Sequence, residues 1–513
     1  MTSTINGPHH ITPDAPMHYR VAIVGSGFAG LGMAIRLKRD GIEDFVVLER
    51  ADDVGGTWRD NTYPGCQCDV PSHLYSFSFA PNPSWSRTYS RQPEIQAYLR
   101  RVARDFGVYE HVRFGHELRD AAWDEDARVW RLTTAGGELT ADVTVLGVGA
   151  LSEPRMPDIP GMETFQGTTF HSATWNHDHD LENERVAVIG TGASAIQFVP
   201  EIQPTVAKLH VFQRTPPWIM PHTDRPVTAA ERRVFRRFPA VQRLIRNAVW
   251  AGREWLVIGL TRKPRFMRLP AAVGRRHLRG QVSDAELRAR LTPDYTVGCK
   301  RILLSDKWYP ALQRDNVEVV TDAVTEIRPH SVVTADGTER EVDTIIAGTG
   351  FLVTDFPAAQ RLRGRGGQTL AEAWNGSMRA YLGTTVAGFP NLFTLVGPNT
   401  GLGHSSMVYM IESQVAYVAD ALRVMAERGV AEVDVREDVQ AAYNDELQRR
   451  MGRTVWSSGG CASWYLDANG RNTTLWPDFT FAFRNRTRRF EAGDYDLRPR
   501  RETPAGAPAS VAS

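Results

Sequence analysis

Val21-Ala-Ile-Val-Gly25-Ser-Gly27-Phe-Ala-Gly30 is the stretch that decides the fold. Val21 to Val24 is apolar without polar alternation, as in a strand buried on both faces, and Phe28 to Asp40 has helical periodicity. The glycines fall where strand becomes helix. Gly25 makes the tight turn, Gly27 admits a pyrophosphate, and Gly30 lets helix and sheet approach closely. Phe45-Val-Val-Leu48 is the next buried strand. Glu49 ends it nineteen residues past Gly30, near the spacing at which a carboxylate accepts hydrogen bonds from a ribose diol. This β-α-β unit predicts an α/β fold with a parallel, doubly wound sheet.

The pattern recurs downstream. Val186-Ala-Val-Ile189 leads into Gly190-Thr191-Gly192-Ala193-Ser194-Ala195 and a helix, and Leu209-His-Val-Phe212 is the next strand. Arg214 and Thr215 follow that strand, where the first unit has Glu49. A guanidinium pairs with a 2′-phosphate through charge-assisted hydrogen bonds worth about 1.5–3 kcal/mol, whereas a carboxylate repels it. Arg214 therefore favours NADP(H) over NAD(H), with Thr215 as a second donor. Two dinucleotide sites without a metal-ligand cluster predict a flavoprotein that takes hydride from a nicotinamide. The expected fold is two Rossmann-like domains, one for FAD and one for NADP.

Val143-Thr-Val-Leu146 and Thr344-Ile-Ile-Ala347 end in the turns Gly147-Val-Gly149 and Gly348-Thr-Gly350. Both are expected to return to the first sheet, which makes the FAD domain discontinuous. The expected boundaries are 1–160 for its first part, 161–227 for the first part of the NADP domain and 228–290 for a helical insert. Then come 291–335 for the rest of the NADP domain, 336–499 for the rest of the FAD domain, and a disordered tail over 500–513.

A chain of 513 residues, 42% hydrophobic and 23% charged, is neither disordered nor fibrous. Its net charge of +1 provides no global field for nucleic acid, so none is expected as a partner. Four cysteines, none in a Cys-x-x-Cys pair, are too few for a disulfide framework and suggest neither zinc nor dithiol chemistry, so a cytoplasmic location is expected. Met1 to Arg20 has no apolar core of signal-peptide length. Ala248 to Leu260 is interrupted by Arg253 and Glu254, far short of the roughly 20 apolar residues of a bilayer span. Residues 231–290 carry 16 basic side chains against 4 acidic ones. A solvated helical surface is the expectation there, with Trp250, Trp255, Leu256 and Ile258 as its apolar candidates for a subunit or lipid contact.

After Glu49 the chain reads Gly55-Gly-Thr57-Trp58, then Tyr63-Pro64-Gly65-Cys66-Gln67-Cys68-Asp69. A disulfide reductase would need paired cysteines here, and Cys66 and Cys68, one residue apart, read as packing residues. This stretch instead resembles the long motif of type I Baeyer–Villiger monooxygenases, NADPH-dependent FAD enzymes that insert oxygen beside a ketone. Phe165-Gln-Gly167-Thr-Thr-Phe-His171-Ser-Ala-Thr-Trp175-Asn176 resembles that family's fingerprint, although Asn176 stands where Pro or Asp is common.

The resemblance, which runs from Val21 to about Phe490, implies conversion of a ketone and O2 to an ester or lactone through a C4a-peroxyflavin. It assigns Arg301, in Gly298-Cys-Lys300-Arg301, to stabilising the peroxide, and Asp69 to holding Arg301. It places Thr57, Trp58, Asp69, Tyr75 and Met407 at the flavin, besides the first glycines and Glu49. It places Gln67, Cys68, Gly190, Thr191, Gly192, Ala193, Ser194, Gln197, Arg214, Thr215, Lys300 and Arg301 at NADP. Phe165, Gly167, His171 and Trp175 belong to the linker, His171 in a structural role. Gly397-Pro-Asn-Thr-Gly-Leu-Gly403-His-Ser-Ser-Met407 precedes a helix whose positive end faces the flavin pyrimidine, and Trp456 to Tyr465 reads as a loop over the site, mobile or static. Two other readings remain open: a nitrogen- or sulfur-oxidising flavin monooxygenase, and a non-oxygenating NADPH–flavin redox sensor.

Overall fold

The computed structural model describes residues 17–500, so the expected tail over 500–513 lies, but for Arg500, outside the described residues. Met17–Val24 and Phe45–Leu48 pair in parallel, Val21 opposite Phe45 and Val24 opposite Leu48, and every residue from Val21 to Val24 is buried. Gly137–Leu146 lies on the other side of the first strand, with Val21 opposite Val143. Its first half closes an antiparallel meander with Val129–Thr134 and Leu118–Asp124, and its second half pairs in parallel with Leu392–Thr394. Helix Phe28–Arg39 buries nearly its whole length, as a helix between sheet and neighbouring helix must, and ends in Arg36, Lys38 and Arg39, which suit the negative helix end.

The second sheet is parallel throughout. Its order is Val317–Val320, Lys208–Phe212, Arg185–Ile189, Thr344–Ala347 and Thr168–His171. The expectation that Thr344–Ala347 joins the first sheet is thus corrected, and a boundary at 336 cuts through the second sheet. The local signature is the same for both sheets, and the register partners differ. Gly147 donates to Val24 O at 2.8 Å beside the first glycine motif, while Gly348 donates to Ile189 O at 2.8 Å beside the second.

Residues 229–290 form helices Ala229–Arg237, Pro239–Val257, Arg268–Gln281 and Ala285–Arg290, with a π-helical turn at Ile258–Arg262. Thr228 and Glu231 form a reciprocal capping box that starts the first helix. Of the four apolar surface candidates only Trp255 faces outward. Trp250 stacks on Tyr409 at 5.9 Å and donates to Thr480 Oγ1, while Leu256 packs against the core. Among the described residues no helix is long and apolar enough to cross a membrane.

Candidate active site

Both glycine motifs shape an open cradle at the carboxyl ends of their strands. A Cβ on Gly25, where φ is +95°, would meet Gly147 O at 2.8 Å, and one on Gly190, at φ +107°, would meet Gly348 O at 2.5 Å. A Cβ on Gly30 would collide with Gly25 O. The middle glycines differ: a Cβ on Gly27 meets nothing closer than Gly56 Cα at 3.7 Å, and one on Gly192 only Gly348 O at 4.0 Å. Backbone is therefore packed behind each turn and open space lies in front, which fits a pyrophosphate on each helix start. Glu49 is buried, and its carboxylate accepts from Ser26 N (2.9 Å), Ser26 Oγ (2.6 Å) and Ala51 N (3.0 Å) and pairs with Arg59 (2.9 Å). Burial would raise its pKa, but Ser26, Ala51 and Arg59 outweigh burial and hold it below the usual range.

The motif after Glu49 folds over the first cradle. Thr57 and Trp58 start a short helix, and Trp58 Nε1 donates to Tyr75 Oη at 3.0 Å, with Phe28 against the Tyr75 ring at 5.1 Å. The chain then turns at Gly65, φ +77°, against the helix Ala195–Ile202 of the second unit. Gln197 on that helix accepts from Tyr63 Oη (3.0 Å) and Gln67 N (3.2 Å) and donates to Gln67 O (3.1 Å). Two residues later the chain reaches Asp69.

Arg301 meets Asp69 in a bidentate pair, Nε to Oδ2 and Nη2 to Oδ1, both 2.7 Å. About a third of the Arg301 side chain and a quarter of Asp69 stay accessible, 32% and 25%, so the cation is fixed yet open to a ligand. Burial raises the Asp69 carboxyl, but Arg301 and then Arg253 pull it below the ordinary carboxylate range. Asp69 in turn drives the Arg301 guanidinium far above its ordinary value. Tyr465 lies close to this pair, its hydroxyl pushed up to about 12 by burial.

Lys300 and Arg214 form a second cationic point. Burial and then the neighbouring Arg214 charge lower the Lys300 pKa, against a weaker opposing pull from Asp294, and no carboxylate forms an ion pair with either cation among the described residues. Two adjacent cations without a paired carboxylate fit a phosphate monoester. Thr191 is buried in the second turn, while Gly192 and Ala193 are exposed on it and Ser194 is half-buried. Cys66 and Cys68 are buried free thiols, Cys66 pushed up to about 12 by burial, so both are packing groups. Met407 starts helix Met407–Glu427 behind a Ser406 cap, half-buried. In the linker, Trp175 packs on Phe170 and Phe198, Phe165 covers Gly167, and His171 Nδ1 accepts from Ala173 N.

The structure corrects one expectation here. Cys299 and Cys461 are joined by a disulfide across 162 residues, although the cysteine count predicted no such framework. Trp456 and Tyr465, expected on a loop over the site, are buried at 2% and 1% exposure, and the disulfide ties their segment to the one carrying Arg301. Sequence reasoning also missed Arg253, which donates to the main-chain oxygens of Asp69 and His404, both at 3.2 Å. Its neighbour Glu254 is buried and accepts from Thr480 N and Oγ1, each at 2.9 Å. The signal was present: two charges interrupting an apolar helical run must find polar partners inside.

A family model described as pyridine nucleotide-disulphide oxidoreductase matches residues 22–238. The chain is 55% identical over 484 residues to a Baeyer-Villiger monooxygenase of Streptomyces coelicolor, covering 94% of this chain and 93% of the other. It is 53% identical to a Baeyer-Villiger monooxygenase of Pseudomonas aeruginosa, over 95% and 93% of the two chains. Among solved structures, cyclohexanone monooxygenase in its closed form superposes with a TM-score of 0.84 at 27% identity, over 94% of this chain and 100% of that one. Oxidized steroid monooxygenase bound to NADP gives 0.83 at 31% identity, over 94% and 99%.

Proposed function

The chain belongs to the type I Baeyer–Villiger monooxygenases, and from that premise we propose that Arg301, held by Asp69, is the cation that acts on the reacting oxygen. The protein is an NADPH- and O2-dependent FAD enzyme that inserts one oxygen atom beside a ketone carbonyl. When bound, FAD reduced by NADPH supplies the activated oxygen. The tasks left to the chain are to bind two dinucleotides face to face, to fix a positive charge where negative charge develops, and to exclude water.

The bidentate Asp69–Arg301 pair, reached by the loop that Gln197 ties to the second glycine unit, supports this assignment above all. A carboxylate that takes two of the guanidinium's donors leaves Nη1 and the remaining N–H groups to point at an anion, and it fixes the plane in which they point. Arg253 braces Asp69 from the helical insert through the main chain. Arg214 and Lys300 bind the 2′-phosphate, Gly27 and Gly192 admit the two pyrophosphates, and buried Tyr465 shields the cation. The substrate is a small-molecule ketone, and the cytoplasm remains the proposed compartment although the Cys299–Cys461 bond removes the cysteine argument for it.

The test is NADPH oxidation by FAD-loaded protein with linear, cyclic, aryl and steroidal ketones, one sulfide and one amine, with products identified by mass spectrometry. An ester or lactone is expected. Sulfoxide or N-oxide alone would favour heteroatom oxidation, and hydrogen peroxide alone across the panel would count against oxygen transfer.

A further inference from the structure

Helix Pro239–Val257 turns polar and charged side chains inward beside Trp250 and Leu256. Its inward face carries Gln242, Arg246, Arg253 and Glu254, all engaged in hydrogen bonds to the body of the protein. Its outward face carries Val241, Leu244, Ala248, Ala251 and Trp255, a stripe at spacings of three, four, three and four residues. Leu244 is 69% exposed and Trp255 73%. A helix that faced only water would show the opposite arrangement. The stripe runs most of a helix about 28 Å long, at 1.5 Å per residue. The turns that follow carry two more exposed apolar side chains, Leu269 at 74% and Phe266 at 52%. Single exposed apolar residues are ordinary, but a continuous stripe beside a second exposed pair marks a contact surface.

Charge identifies what covers it. From 232 to 283 the only acidic residue is Glu254, which is buried, while Arg233, Arg236, Arg237, Arg243, Arg265 and Arg268 are among the exposed cations. Arg265 lies over the Phe266 ring at 5.5 Å and Lys263 at 6.0 Å, so cations flank the apolar groups directly. A second copy of this chain meeting the same patch across a twofold axis would set this basic excess against itself. An anionic bilayer offers the complement of both features, acyl chains for the stripe and headgroup charge for the arginines.

We propose that the outward face of the helical insert, Val241 to Trp255 with Phe266 and Leu269, docks the enzyme peripherally on anionic phospholipid membranes. The docked face is the reverse of the one that reaches Asp69 through Arg253, so the insert joins the membrane surface to the active-site wall. The proposal is independent of the catalytic assignment of Arg301.

Sedimentation of the FAD-loaded enzyme with vesicles of mixed phosphatidylglycerol and phosphatidylcholine, and with phosphatidylcholine alone, tests it. Binding is expected with the mixed vesicles and not with the neutral ones. The double variant Leu244→Ser, Trp255→Ser should lower the partition coefficient at least roughly tenfold, because far less apolar surface then leaves water on docking. Arg265→Gln and Arg268→Gln should each lower it about fivefold. NADPH oxidation in solution should stay at the wild-type rate in all of these variants. Absence of binding to the mixed vesicles, equal binding to both kinds, or unchanged binding by the double variant would overturn the proposal. So would a dimer, seen by light scattering, that the double variant dissociates.

Discussion

Replacing Arg301 by alanine leaves Asp69 with an uncompensated partly buried charge and takes the fixed cation out of the cleft. We expect ester formation to fall about 10²–10³-fold, the scale of losing one preorganised charge donor, while NADPH still bleaches the flavin absorbance at close to the wild-type rate. An unchanged rate of product formation would show that Arg301 has another role. Because the folded pKa of Asp69 lies below its unfolded value of about 3.9, the pair's contribution to stability is complete above that pH and disappears only as pH falls through the depressed value. Titration of this pair therefore cannot account for activity changes between about pH 5 and 8. At the other cationic point, Arg214→Ala should raise the NADPH Michaelis constant about tenfold to a hundredfold, the size of a charge-assisted contact, and leave that for NADH nearly unchanged. Equal effects on both would remove the 2′-phosphate from the role of Arg214.

Among the elements, the disulfide changes how the site closes. Cys299 lies two residues before Arg301, and its bond to Cys461 ties the segment Val455–Tyr465 to the segment carrying Arg301. Thiol titration of denatured, unreduced protein should find two thiols, Cys66 and Cys68, and reduction should raise the count to four. In Cys461→Ser, backbone amides from Val455 to Tyr465 should exchange faster while those of Val21–Val24 keep their rate, since only the former lose a tether. The element-level features also divide what the sequence made legible from what it did not. Both glycine turns and their flanking strands follow from local spacing, because the relevant atoms lie within one β-α-β unit. The pairing of Cys299 with Cys461 and the placement of Thr344–Ala347 depend on partners 155 or more residues away, and identical local patterns suit either outcome. Arg253 lies between these cases. Its burial was foreshadowed by the apolar run around it, but its contact with Asp69 crosses from insert to cleft.

At the scale of the whole molecule, Gln197 is the joint between the two nucleotide units, since its amide bonds both Tyr63 and Gln67 of the loop that leads to Asp69. Gln197→Ala leaves the Tyr63 hydroxyl without that acceptor and frees the loop to shift against the second unit. We expect flavin reduction to continue and a larger share of the consumed NADPH to appear as hydrogen peroxide, because the cation is less well placed at the moment of transfer. A peroxide yield equal to wild type would show that other contacts, such as Asp224 with Arg87, suffice to hold the units together. The order of strands in the second sheet has a consequence for biosynthesis. Among the described residues Thr168–His171 has no sheet neighbour except Thr344–Ala347, which the ribosome delivers only after the whole helical insert has emerged. The nascent chain must therefore hold an unpaired strand, and an incomplete edge on Arg185–Ile189, through the synthesis of more than 150 further residues. The second sheet is therefore completed only late in synthesis, and slower translation through residues 190–343 is expected to lower the yield of soluble protein by prolonging exposure of that unpaired edge.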